Sequence, residues 1–122
     1  MIIYAYAHDD FDNYPQFMRG ITVAIESHKT DKDNKIEIWC GGPHSLNDFT
    51  AEYVNKTIEY FKQKKIKIRY HRLLKNIFLK ELDSSQVTVV LYFGTKDYDP
   101  YFDVVMSKVQ ELNIPTRIYK GI

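Results

Sequence analysis

At 122 residues, 44% of them hydrophobic, the sequence is read as a single domain (1–122) able to build one continuous core. Seventeen Lys and Arg stand against sixteen Asp and Glu, a formal charge of +1, so bulk electrostatics do not point to a nucleic-acid partner. Cys40 is the only cysteine, which excludes an internal disulfide, and no stretch approaches the ~18 apolar residues needed to span a bilayer, so a cytoplasmic protein without a membrane partner is expected.

Ile2 to Ala7 is a nearly unbroken apolar run, the pattern of a strand covered on both faces, and is expected at the centre of a sheet. Met1 to Ala7 is too short for a signal-peptide core and lacks a basic lead. A polar loop, His8 to Asn13, leads into a helix whose stripe is Phe17, Ile21, Ala24, Ile25 and His28, capped by Asp12 or Asn13, with Pro15 tolerated in the first turn. Lys35 to Cys40 alternates as a second strand and ends at Gly41-Gly42-Pro43. Ser45 and Asp48 form a capping-box pattern before a helix carrying Leu46, Phe49, Thr50, Tyr53, Val54, Thr57, Ile58 and Phe61 on one stripe.

Ile66 to Tyr70 alternates strictly and reads as a strand nearer the sheet edge. Between His71 and Ser85 the spacing of Leu74, Ile77, Phe78 and Leu82 predicts a short helix. Val87 to Phe93 is the strongest strand signal and belongs beside the first strand. After the loop Gly94 to Tyr98, Asp99-Pro100 starts a helix with Phe102, Val105, Met106, Val109 and Leu112 buried, and Pro115 precedes a last strand, Thr116 to Tyr119. Strand and helix alternate five times, which predicts an α/β three-layer Rossmann-like sandwich: a five-stranded, mostly parallel sheet with helices on both faces.

In such a sheet ligands lie beyond the carboxyl ends of the strands, where strand order reverses. Three loops are therefore candidates. The first places His8, Asp9 and Asp10 after the central strand, where acids and an imidazole can hold a hydroxyl or a base edge or bind a divalent cation, although no second acid cluster completes a metal shell; a solvated, helix-capping loop has the same sequence. In the second, Gly41-Gly42 lets the main chain approach a ligand, and the helix starting near Ser45 presents free amides to a phosphate or carboxylate; a plain tight turn has the same sequence. In the third, Gly94-Thr95 can wrap a phosphate, but Asp97 and Asp99 would repel it. Cys40 near His44 is weighed as a nucleophile, with packing favoured. His71, Arg72, Lys75 and Asn76 can supply positive charge near the sheet edge, or simply solvate a helix start.

Taken in order, His8-Asp9-Asp10-Phe11 with Tyr14, Gly41-Gly42-Pro43 with Asn47, and Lys75-Asn76 resemble the motifs of the SLOG superfamily, more narrowly its short phage and bacterial branch. Asp10, Phe11, Tyr14, Gly41, Gly42 and Asn76 match that branch's pattern, whereas His8, Asp9, Pro43, Ser45, Asn47 and Lys75 replace its residues. The resemblance implies a Rossmann-like domain binding nucleotides or nucleotide-derived signals, with no further cofactor. Its enzymatic relatives, the Lonely Guy phosphoribohydrolases, carry a Pro-Gly-Gly-x-Gly-Thr loop and a catalytic glutamate that this sequence lacks.

The leading expectation is a non-catalytic binding protein in which a base stacks on Phe11, Tyr14 or Phe93, while phosphate or ribose meets the Gly41 to Asn47 amides and Lys75; His44, Asn76 and Gly94 are further ligand-binding candidates. Two alternatives stand beside it. One is an N-glycosidase using Asp9 or Asp10; the other is a module that inhibits a host enzyme through exposed tyrosines. The aromatic content and the habit of SLOG-like domains to pair also agree with a homodimer.

Overall fold

The computed structural model describes residues 1–8, 11–42, 44–73, 80, 82, 86–94 and 100–120, with main chain only at 44, 73, 100, 101 and 120. The elements run β1 (Ile2–Ala7), α1 (Tyr14–His28), β2 (Lys35–Gly41), α2 (His44–Gln63), β3 (Lys67–Leu73), β4 (Val89–Gly94), α3 (Pro100–Glu111) and β5 (Thr116–Lys120). All five strands are parallel, in the order β3-β2-β1-β4-β5. The fold is therefore a Rossmann-like α/β sheet. β1 is central, β4 lies beside it and β3 is an edge, as their hydrophobic patterns predict.

Alternation of side chains along β1 divides the core. Ile3, Ala5 and Ala7 point to one face, where they meet Phe17, Ile21 and Ala24 of α1 and Leu46, Tyr53 and Phe61 of α2. Tyr4 and Tyr6 point to the other, with Val105 and Val109 of α3 and with Leu82. That division follows from handedness: the chain moves one way along the sheet from β1 to β3, then returns to β4 and moves the other way, so right-handed crossovers place helices on opposite faces.

Asn13 caps α1, its side-chain oxygen accepting the Gln16 N–H at 3.1 Å, which resolves the choice between Asp12 and Asn13. Both α2 and α3 close by Schellman motifs. Ile66 N–H reaches the Phe61 carbonyl and Lys65 N–H the Lys62 carbonyl, while Ile114 reaches Val109 and Asn113 reaches Gln110. Lys65 and Asn113 occupy the left-handed position at φ 61° and 56°.

Several expectations need correction. Ser45 is not the cap of α2, which already starts at His44. Ile58 lies off the buried stripe and is 43% exposed. β3 runs on through His71 to Leu73, so His71 belongs to a strand and not to a helix start. The helix predicted around Leu74, Ile77 and Phe78, and the cap Asp99, lie outside the described residues, although Pro100 does open α3.

Candidate functional site

The order of the strands locates the reversal between β1 and β4, the point from which the chain leaves toward opposite edges. The ends bordering it are Ala7-His8 and Phe93-Gly94. The loop motifs in the sequence favour the ends of β1 and β2; the topology brings the end of β4, Phe93-Gly94, to the reversal as well, because β4 and not β2 lies across it. A crevice beyond such a reversal is where open parallel sheets bind ligands.

The two strand ends are joined by main chain. His8 N–H donates to the Phe93 carbonyl at 3.0 Å, and the His8 carbonyl accepts Phe11 N–H at 2.9 Å, closing a turn. Its central residues Asp9 and Asp10 lie outside the described residues. Phe11 then drops into the core at 1% exposure, its ring 5.1 Å from that of Phe93, which is 0% exposed. Both rings are enclosed by protein, Phe11 also meeting Phe49 and Phe93 stacking on Tyr119. Neither offers a face to a base approaching from solvent; their part is to hold the loop down.

Tyr14 sits at the start of α1, half-buried, its ring 5.4 Å from that of Phe49 and 5.1 Å from the Lys56 ammonium. Among the described residues its buried hydroxyl meets no hydrogen-bond partner. Burial raises its pKa, opposed by Lys56 and reinforced by Glu52. Of the three aromatics expected at the site, Tyr14 alone keeps a partly accessible ring.

From β2, Gly41 is buried and paired with Tyr6 and Leu73, so it is a strand residue and not part of the turn. Gly42 makes the turn at φ 118°, and a Cβ there would lie 3.0 Å from the Ala7 carbonyl oxygen. The β2 turn is thus pressed against the end of β1. Ser45 completes the link, its hydroxyl donating to the Phe11 carbonyl at 2.7 Å. This hydroxyl, read in the sequence as a cap, instead ties α2 to the first loop.

Asn47 accepts a weak bond from the Cys40 thiol at 3.7 Å, and that thiol also approaches the His71 carbonyl at 3.5 Å. Burial pushes the Cys40 pKa up, with Thr50 opposing. A 2% exposed, neutral thiol is packing. Gly94 is buried under the Tyr92 ring, whose Cε1 would stand 2.6 Å from a Cβ on Gly94. Pro43, Lys75, Asn76, Asp97 and the side chain of His44 lie outside the described residues.

One cluster escaped the sequence reading. Across β2 and β3, Glu37 accepts from Arg69 at 3.2 Å and lies 3.1 Å from His71 Nε2, while the His71 ring stacks on Trp39 at 4.1 Å. Strand alternation puts Glu37 with Trp39, and Arg69 with His71, on one face; only the register, which pairs Glu37 with Arg69 and Trp39 with His71, brings them together.

Among the described residues no three His, Cys, Asp or Glu side chains are grouped to hold a metal ion, and no helix is long and apolar enough to cross a membrane. The class defined by the fold is that of Rossmann-like parallel α/β domains. Compared with family models, curated proteins and solved structures, the chain matches none.

Proposed function

We propose that the protein is a non-catalytic binding domain for a nucleotide or nucleotide-derived small molecule, acting as a sensor or sequestering protein. The observation that carries this reading is the reversal of strand order between β1 and β4, with the Gly42 turn drawn against the end of β1 and the first turn of α2 tied through Ser45 to the Phe11 carbonyl. Amides at a helix start favour phosphate or carboxylate oxygens. The partly accessible Tyr14 ring suits a base, and the resemblance of the loop motifs to the SLOG superfamily supports the same ligand class. Lys75 and Asn76 are proposed to close one side, and His8 with Asp9 and Asp10 to meet ribose hydroxyls.

Calorimetric titration with mononucleotides, ADP-ribose derivatives and cyclic oligonucleotides tests the proposal. At least one should bind with Kd below about 1 mM, equivalent to roughly −4 kcal/mol. Silence across the panel at that level would remove the ligand class from consideration.

A further inference from the structure

Among the described residues the sheet has two open edges, β3 and β5. On β3, Lys67 N–H is turned inward to the Asn34 carbonyl, so Ile68, Tyr70 and Arg72 turn their main-chain groups outward. This edge is lined by the exposed cations Lys67, Arg69 and Arg72, and antiparallel self-pairing about Tyr70 would set Arg69 against His71. Charge along an edge strand is a device that prevents pairing.

β5 differs. Val90 N–H donates to the Pro115 carbonyl, so Pro115, Arg117 and Tyr119 face inward, while Thr116, Ile118 and Lys120 turn N–H and C=O outward. Ile118 is 45% exposed, and beside it opens a groove of about 570 Å³ whose apolar wall includes Met106, Val109, Ile114 and Pro115.

We propose that two copies of this chain pair antiparallel through β5 about a twofold axis at Ile118, joining their sheets into one. In that register Ile118 exchanges both main-chain hydrogen bonds with its own mate, and Thr116 pairs with Lys120. Arg117 falls opposite Tyr119 in the close, non-hydrogen-bonded position. No like charges meet: the Arg117 guanidinium lies over an aromatic ring already fixed against Phe93 at 5.2 Å, a favourable cation–π pairing formed twice by symmetry. Pairing so short a strand buries little by itself. The two Ile118 side chains, meeting on the face of α3 and covering the groove, supply the apolar core a stable interface requires.

Light scattering and sedimentation of the full chain between roughly 1 and roughly 500 µM should give twice the 14.5 kDa chain mass at the upper end. Ile118→Lys places two ammonium groups in contact at the axis and should return single chains with unchanged circular dichroism. Ile118→Cys, oxidised with diamide, should give a covalent dimer on a non-reducing gel, because Cα atoms of such a pair stand about 5.5 Å apart, within disulfide reach. The wild type controls for Cys40, which is buried. A single-chain mass throughout, a dimer that survives Ile118→Lys, or no cross-link from Ile118→Cys overturns the proposal.

Discussion

The Ala7 carbonyl oxygen stands 3.0 Å from the point that a Cβ on Gly42 would occupy, so the end of the central strand and the turn after its neighbour fit only without a side chain. Gly42 also adopts φ 118°, which L residues rarely tolerate. Gly42→Ala is therefore expected to destabilise the fold by about 1–3 kcal/mol through strain, and to shift the turn off β1. Urea unfolding reads the first effect. On the proposed function, the same calorimetric titration reads the second, as loss in the variant of the binding proposed for the wild type.

The Cys40 thiol should be inert in the folded chain. It is 2% exposed and burial raises its pKa, both of which suppress the thiolate. Iodoacetamide labelling followed by mass spectrometry is expected to be slow in native buffer and complete in denaturant. Rapid native labelling would restore Cys40 as a nucleophile candidate.

What the sequence disclosed and what it withheld divide along physical lines. The continuous runs of β1 and β4 and the alternation of β3 report how many faces each strand buries, so sheet centre and edge were legible. Pairing across strands was not: Glu37 lies more than thirty positions from both Arg69 and His71, and only the register unites them. Ser45 shows the same limit at short range. A hydroxyl at a helix start looks like a cap from its neighbours alone, yet its partner is the Phe11 carbonyl on another loop. Phe11 and Phe93 border loops and so have the sequence position of ligand platforms, but tertiary packing turns both rings inward. Lys65 ends α2 in a conformation usually given to glycine, which no local pattern announces.

Gly20 gives a further test, because two effects of similar size oppose each other there. Replacing a glycine inside a helix by alanine ordinarily gains about 1 kcal/mol. Here the new Cβ would stand 2.8 Å from Phe93 Cε1 and 3.2 Å from Tyr119 Cε2. The Phe93 ring cannot retreat, being held between Tyr119, Phe11 and Phe17. Overpacking costs about 1–3 kcal/mol, so Gly20→Ala is expected to lower stability by about 1 kcal/mol net. A lower urea midpoint with unchanged slope is the expected observation.

The Glu37 cluster predicts an acid dependence with a definite sign. Burial alone would raise the Glu37 pKa, but the hydrogen bond and charge of Arg69, joined by His71, outweigh it and leave the value lowered. A carboxyl whose pKa is lower in the folded chain contributes stability that is fully present above its unfolded value, about 4.3, and is lost as pH falls through the folded value below it. Arg69 is 61% exposed, so solvent screening limits the pair to roughly 0.2–1 kcal/mol. Asp33, also lowered, by the Thr30 amide foremost, adds to the acid sensitivity of the whole chain and is common to wild type and variant. Subtracting the stability of Glu37→Gln from that of the wild type, by urea unfolding between about pH 6 and about pH 2.5, isolates Glu37. The difference should be positive near neutrality and shrink as the solution is acidified; a difference independent of pH would show that the fold does not draw on the Glu37 charge.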